Sequence, residues 1–127
     1  MDQQKFLRNY WHREGKCIGD FFHEEALSYL HDSNEVLTRQ DWIDHFKQDE
    51  SGEGEREWHT TIDRIESLGG DNFMTITFHR SPGWNGFVTS IFTIKDEKIS
   101  ELHEYYSPCD DCVVPQWRED LKEEERV

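Results

Sequence analysis

A chain of 127 residues has the size of one domain, and its 28 acidic against 14 basic residues give a net charge of −14. That charge repels phosphate backbones and anionic lipid surfaces, so the composition argues against nucleic acid and membranes as partners. No stretch approaches the ~20 apolar residues of a membrane span, and the N-terminus has no apolar signal region. We therefore expect one cytoplasmic domain over residues 1–127.

The composition also predicts the character of the core. Hydrophobic residues make up only 34% of the chain, but it contains five Trp, four Tyr and eight Phe. Each buried aromatic ring removes on the order of 150–250 Å² from water, so we expect a core rich in aromatic side chains. The three cysteines, an odd number, favour reduced thiols over a disulfide framework.

The first part of the chain predicts helices and one strand. Apolar residues recur at helical spacing over residues 3–22, which predicts one or two amphipathic helices with a break at Gly15. Residues 25–31 predict a first strand, and residues 32–34 have turn-forming side chains. Thr38 and Asp41 have the spacing of a capping box, which predicts a short helix with three apolar residues on one face, namely Trp42, Ile43 and Phe46. Residues 48–57 predict a solvated loop.

From residue 58 onwards the pattern is that of long strands. Four β-rich runs are separated by turn residues at 69–71, 81–85 and 95–98, and they cover residues 58–68, 73–80, 86–94 and 99–106. A bulge is expected before Ile65. In the third run Phe87 and Ile91 point to one face and Val88 and Phe92 to the other, and a strand that is apolar on both faces is covered on both.

Helices followed by a meander of strands predict an α+β fold, with N-terminal helices packed on one face of a curved antiparallel sheet. The chain resembles the nuclear transport factor 2-like superfamily, particularly its SnoaL-like branch and small bacterial relatives. The resemblance extends over most of residues 6–118 and is carried by residues 9–11, 21–26, 31–35, 58–65, 91–94, 99–106 and 115–118. It implies that the strongly curved sheet forms a cone-shaped half-barrel whose mouth is covered by the N-terminal helices.

The resemblance also implies a function. Proteins of this superfamily hold a small, largely apolar molecule, and some catalyse acid–base steps such as isomerisation, cyclisation, dehydration or epoxide hydrolysis. The alternative is a non-catalytic, dimeric ligand-binding or protein-interaction module. Between Trp11 and Phe21 this chain is shorter than those relatives, which leaves the size and closure of the pocket open.

The polar cluster before the capped helix is one candidate site. His31 offers a proton acceptor near neutral pH, Asn34 a fixed donor and acceptor, and Glu35 an anion. The alternative is that Asp32 and Asn34 only form the turn, while His31 and Glu35 face water.

Glu104 is the other candidate. If it faces the interior beside Tyr106, loss of solvent raises its pKa and makes it a usable general acid or base. If it faces water, it is a poor base at pH 7. The family's enzymes commonly carry an acid near the end of this strand. His103 points away from Glu104 in an unbroken strand. His79, at the end of its strand, could reach the mouth of a pocket, but we expect it at the surface.

These observations combine into one hypothesis. We expect polar side chains to meet at a cavity lined by aromatic rings, with His31 and Glu104 as catalytic residues and Asn34, Glu35, Trp58 and Tyr106 as substrate-binding residues. The motivation is that both segments carry polar groups at the ends of otherwise apolar strands.

The pair Cys109 and Cys112 has the spacing of a metal or redox motif. Zinc normally takes four ligands, whereas this motif supplies two and Cys17 is one further thiol. A thioredoxin-like motif lies at a helix N-terminus, whereas this one follows a strand and contains two aspartates that oppose thiolate formation. The sequence has no phosphate-binding loop or dinucleotide fingerprint, and we expect neither metal nor cofactor.

A homodimer is expected through the sheet face that the helices leave uncovered. The run 86–94 is apolar on both faces, and one layer of helices covers only one of them. The family resemblance points the same way.

Overall fold

The computed structural model describes residues 2–13, 17–51 and 59–109 of the chain. In this part of the chain two helices, α1 (Gln3–His12) and α2 (Arg39–Ser51), accompany one turn of 3₁₀ helix (Ile18–Phe21). They pack on a single sheet, whose strands are β1 (Phe22–Leu30), β2 (Glu35–Thr38), β3 (His59–Gly69), β4 (Asn72–Ser81), β5 (Trp84–Lys95) and β6 (Lys98–Pro108).

The strands are arranged in the order β2-β1-β6-β5-β4-β3. All neighbouring strands are antiparallel except β1 and β6, which run parallel with Leu30 beside Glu104. The α+β fold with helices on a curved sheet is confirmed, but the sheet is mixed, and the prediction of a wholly antiparallel sheet is wrong in this detail. The last strand returns beside the first in the same direction, a long-range pairing that no hairpin signal reveals.

The turns between the strands largely follow the sequence pattern. Asp96 and Glu97 both have left-handed backbone, with φ of 50° and 65°, as a two-residue hairpin turn requires. The bulge predicted before Ile65 is present as a register shift between Ile62 and Arg64. The connection after β4 is tighter than predicted, because β5 already begins at Trp84.

Helix α2 begins at the predicted capping box. The backbone N–H of Asp41 donates to Oγ1 of Thr38 at 3.2 Å, and the backbone N–H of Thr38 donates to Oδ2 of Asp41 at 2.8 Å. The helix continues to Ser51, so it occupies the first residues of the predicted loop. The rest of that loop lies outside the described residues, and so do Gly15 and Trp58.

Both helices are tied to the sheet by a tryptophan side chain. The indole N–H of Trp11 in α1 donates to Oγ1 of Thr75 at 3.0 Å, and that of Trp42 in α2 donates to Oγ of Ser28 at 2.8 Å. Both acceptors are buried. We call the sheet face that carries Ser28, Thr75 and Glu104 the inner face, and the opposite face the outer face.

The core between the helices and the inner face is aromatic, as predicted. The Tyr10 ring makes edge-to-face contacts with four other rings at centroid distances of 5.0–5.9 Å, namely Trp11, Phe21, Phe22 and Phe92. The apolar side chains of this core are at most 7% exposed. Burial of such rings is the main stabilising term for a chain of low apolar content.

Two further findings bear on the sequence predictions. Cys17 is exposed and Cys109 is disulfide-bonded, so the expectation of reduced thiols is wrong for Cys109, while Cys112 lies outside the described residues. Among the described residues, helices long and apolar enough to cross a bilayer are not found.

The tryptophan contacts give a first prediction. Trp42→Phe should leave the buried Ser28 hydroxyl without its donor, at a cost of about 1–3 kcal/mol in unfolding free energy beyond the loss of ring area. A double-mutant cycle with Ser28→Ala should show a coupling of about 1 kcal/mol in urea denaturation. Strictly additive effects of the two substitutions would mean that the hydrogen bond does not stabilise the fold.

Candidate functional site

A cavity of about 110 Å³ lies between the two helices and the inner face of the sheet. Aromatic rings from both helices form much of its wall, namely Tyr10, Trp11, Trp42 and Phe46. Polar groups reach it from three strands and from both helices, and these are Thr60, His79, Glu104, Tyr106, Arg13 and His45. An aromatic cavity with a few convergent polar groups is the usual form of a small-molecule site.

Glu104 lies at the centre of the polar groups. Its side chain projects from β6 to the inner face and is only 3% exposed. The Ser90 hydroxyl donates to Oε2 of Glu104 at 3.0 Å, and the Tyr106 hydroxyl donates to Oε1 at 2.8 Å. Each carboxylate oxygen is therefore held by one hydroxyl and keeps a further lone pair for another donor.

Burial sets the protonation state of this group. Loss of solvent raises the pKa of Glu104, and it outweighs the hydrogen bonds from Tyr106 and Ser90 and the charge of Arg13, which act in the opposite direction. Burial likewise raises the pKa of Tyr106 and of Tyr10, and the nearby Glu104 carboxylate adds to both shifts. The two phenols therefore remain hydrogen-bond donors, while Glu104 is suited to exchanging a proton.

His79 is the site residue that the sequence reasoning missed. It was expected at the surface, but its side chain is 2% exposed and lines the cavity, so that expectation is wrong. Burial lowers the pKa of His79 to about 4, and the charge of Arg13 acts in the same direction. The ring nitrogens lie beside two hydroxyls, with Nδ1 3.1 Å from Oγ1 of Thr60 and Nε2 2.7 Å from Oγ1 of Thr77.

The alternation along β4 contained a misleading signal. Thr75, Thr77 and His79 face inward and are buried, whereas the more apolar set that includes Met74, Ile76 and Phe78 faces outward and is only partly buried. A strand with one polar and one apolar face normally turns the apolar face to the core. Here the polar face is inside because hydroxyls are needed as partners for Trp11 and His79.

Arg13 brings a positive charge to the cavity. It ends α1 with a left-handed backbone, φ 42°, and its guanidinium lies 4.6 Å above the Phe46 ring and 5.8 Å from that of Tyr10. The same guanidinium donates to the backbone carbonyl of Tyr10 at 3.2 Å. Its charge lowers the pKa of both Glu104 and His79.

His31 does not reach this cavity. Its ring stacks on Tyr105 at 4.5 Å and lies beside His103, and both residues alternate with Glu104 along β6. Since neighbouring residues of a strand point to opposite faces, His31 lies on the outer face and Glu104 on the inner face. The predicted cavity shared by His31 and Glu104 is therefore wrong, whereas the prediction that His103 points away from Glu104 is correct.

The other predicted residues separate in the same way. Asn34 is exposed in the turn with φ 55°, and Glu35 is exposed at the start of β2, so neither lines the cavity. Tyr106 does line it, together with Glu104. Trp58 lies outside the described residues.

The turn after β1 has a structural task instead. The backbone N–H of His31 donates to the carbonyl of Glu104 at 3.1 Å, and Oδ1 of Asp32 accepts the backbone N–H of Tyr106 at 3.0 Å. These two bonds extend the pairing of β1 with β6 beyond Leu30. They hold the segment of β6 that presents Glu104 and Tyr106. Within the described ranges no three His, Cys, Asp or Glu side chains converge as a metal site would require.

The helices, the curved mixed sheet and the lidded cavity together define an α+β cone fold. This is the nuclear transport factor 2-like fold, and the predicted resemblance is confirmed at the level of the fold by solved structures. An NTF-2 like protein of unknown function from Burkholderia xenovorans is 18% identical, with 92% of this chain and 90% of that chain covered and a TM-score of 0.65.

Two further structures are named after enzymes. A provisionally assigned ketosteroid isomerase from Kribbella flavida is 17% identical over 98% of this chain and 86% of that chain, with a TM-score of 0.66. A provisionally assigned SnoaL-like polyketide cyclase from Shewanella putrefaciens is 13% identical over 80% of this chain and 75% of that chain, with a TM-score of 0.61. No family model matches the sequence, and no curated protein matches it.

The buried imidazole gives a second prediction. Burial lowers the pKa of His79 from 6.5 to about 4, so the folded protein takes up this proton less readily than the unfolded chain. The free energy of unfolding is therefore unaffected by this group above pH 6.5 and decreases as the pH falls from 6.5 towards 4. The loss should be at most about 3 kcal/mol in unfolding free energy. His79→Gln should reduce this pH dependence, measured by urea denaturation between pH 7 and pH 4.5.

The matched control is His59→Gln, because His59 is exposed on the neighbouring strand β3. It should leave the stability–pH curve unchanged. Parallel curves for the wild type and His79→Gln would contradict the assignment of a buried, neutral imidazole.

Proposed function

We propose that this chain binds a small, largely apolar molecule in the cavity and that Glu104 transfers a proton to or from it. The observation that carries the proposal is a carboxyl group buried in an aromatic cavity, with each oxygen held by one hydroxyl. Positional restraint and desolvation are what a general acid or base requires, since they bring its pKa closer to neutral pH and fix its direction.

The roles of the neighbouring groups follow from their contacts. Ionised Glu104 would accept a proton from a C–H or O–H group of the ligand through a free lone pair, and protonated Glu104 would return it. Tyr106 and Ser90 would hold the carboxylate in place while the proton moves. The phenol of Tyr10 stays protonated and is suited to donating to an oxygen that gains negative charge.

The size of the cavity restricts the ligand. At about 110 Å³ it is smaller than the roughly 300–1,000 Å³ of sites for drug-sized ligands, and it is closer to a cavity of ~150 Å³ that holds benzene. We therefore propose a ligand of about one ring. Proton transfer by the side chains present fits isomerisation, cyclisation, dehydration or hydrolysis, and proteins with this fold are named after ketosteroid isomerase, polyketide cyclase and epoxide hydrolase/cyclase-like chemistry.

The test is exchange of α-protons in a small carbonyl compound. In deuterated buffer at pH 7, the wild type should accelerate deuterium incorporation into cyclopentanone, followed by NMR. Glu104→Gln keeps the shape of the side chain and one acceptor oxygen, but its amide cannot take up the proton. It should lower the exchange rate by about 10²–10⁴-fold.

Glu101→Gln is the matched control, because Glu101 lies on the same strand but is exposed on the outer face. It should retain the wild-type rate. Unfolding measurements exclude trivial loss of the fold, since removing a carboxyl whose pKa is raised by burial should not destabilise the protein at pH 7. Equal exchange rates for wild type and Glu104→Gln would rule out Glu104 as the proton-transfer group.

A second candidate function is a non-catalytic, dimeric interaction module, and the outer face is the observation in its favour. Large side chains remain exposed there, including Leu27 at 39%, Val36 at 53%, Phe87 at 38% and Tyr105 at 43%. Large apolar side chains exposed together on one face of a sheet favour an interaction site there. We propose that this face joins two copies of the chain.

Light scattering at micromolar concentration should then give a mass of about 30 kDa, twice the 15.3 kDa of one chain. Phe87→Glu should shift the protein to the monomer, because it places a charge on the outer face. Leu68→Glu is the control, since Leu68 is 51% exposed but lies at the end of the edge strand β3. A monomer mass for the wild type would exclude the dimer.

A further inference from the structure

Several hydrogen-bond donors in the cavity wall are already engaged within the protein. The indole N–H groups of Trp11 and Trp42 donate to the sheet, and the Tyr106 hydroxyl donates to Glu104. Tyr10 is different, because it lines the cavity and is only 2% exposed, yet within the described residues its hydroxyl donates to no group. The phenol of Tyr10 can therefore donate to an oxygen of a ligand.

Arg13 adds a positive charge at the same end of α1. Its guanidinium lies over the Phe46 ring of α2, 4.6 Å from the ring centroid. Contact with a ring uses the face of a guanidinium, whereas its N–H groups point outward in its plane. Five N–H groups allow Arg13 to bind a ligand in addition to the Tyr10 carbonyl. The α1 end of the cavity therefore presents a cation and a phenol together.

The local charge favours an anion in the cavity, although the chain as a whole is acidic. Burial raises the pKa of Glu104, so this carboxyl loses its negative charge readily when a second anion approaches. Carboxylates that lie more than ~8 Å away are largely screened at physiological salt, which weakens the effect of the net charge of −14. The full charge that a ligand meets at the α1 end is therefore that of Arg13.

We propose that the ligand of this cavity is a small cyclic carboxylate whose anionic group is held by Arg13 and Tyr10. The inference rests on the ligand-binding function proposed above, to which it adds the charge and the orientation of the ligand. A planar carboxylate matches a planar guanidinium through two parallel hydrogen bonds, and the phenol supplies a third. With the carboxylate at α1, the ring lies among the aromatic side chains and its far side faces Glu104 on β6.

Three ligands with the same five-membered ring test the sign of the charge on the wild-type protein. They are cyclopentanecarboxylate, its neutral carboxamide, and cyclopentylammonium. The indole N–H signals of Trp11 and Trp42 report binding in an NMR titration at pH 7, because both rings line the cavity. The carboxylate should bind at least about fivefold more tightly than the carboxamide, since hydrogen bonds to charged groups are the stronger ones. The ammonium ion should bind most weakly.

Substitutions at Arg13 assign the preference to its guanidinium. Arg13→Gln should weaken carboxylate binding at least about tenfold and carboxamide binding less than about twofold, a tenfold change being 1.4 kcal/mol. Arg13→Lys retains the charge but not the planar fork, so it should keep part of the preference. Arg8→Gln is the matched control, because Arg8 is exposed on the same helix and its loss changes the net charge equally. It should leave the dissociation constants of both ligands within about twofold of the wild type.

The possible failures are distinguishable. A carboxylate that binds no more tightly than the carboxamide or the ammonium ion, or equal losses for both ligands in correctly folded Arg13→Gln, would overturn the carboxylate site and leave the role of Glu104 standing. Absence of binding by all three ligands at millimolar concentration would overturn both this site and a ligand of one ring. Failure of the Glu104-dependent deuterium exchange, with the carboxylate preference intact, would overturn the proton transfer alone.

Discussion

The structure depends on a simple requirement: an indole N–H that is buried needs an acceptor. The helix tryptophans Trp11 and Trp42 meet it with Thr75 and Ser28 on the sheet. An unpaired buried donor costs about as much free energy as the hydrogen bond would supply, so each tryptophan can dock only where a hydroxyl faces it. This fixes where both helices lie, and with them the aromatic walls of the cavity.

The same requirement explains why the covered face of the sheet is polar. Four hydroxyl side chains on this face are at most 1% exposed, namely Ser28, Thr75, Thr77 and Ser90. Each of them forms a hydrogen bond with an indole, an imidazole or a carboxyl group. In this desolvated layer the charged forms of ionisable groups are disfavoured. Burial raises the pKa of Glu104 and lowers that of His79, so one physical cause moves both groups towards the neutral form.

Strand β6 links the two sides of the molecule. Its inward residues Glu104 and Tyr106 face the cavity, and its outward residues His103 and Tyr105 stack on Tyr29 and His31 on the other face. The turn after β1 holds this strand through a backbone bond to Glu104 and a side-chain bond from Asp32. The cavity and the outer face therefore share this strand, with no side chain in common.

The sequence by itself determined the features that arise from neighbouring residues. The capping box at Thr38, the two-residue turn at Asp96 and Glu97, the bulge before Ile65 and the alternation along β5 all follow from local backbone and side-chain preferences. The tertiary structure alone decided which face of each strand is covered, because that depends on the parallel pairing of β1 with β6 and on the positions of the tryptophan donors. For this reason Glu104 and Tyr106 were found from the sequence, whereas His79 was placed at the surface and His31 in the wrong site. A strand's alternation defines two faces but does not say which one is inside, since here the hydroxyl-bearing face is buried by its hydrogen bonds.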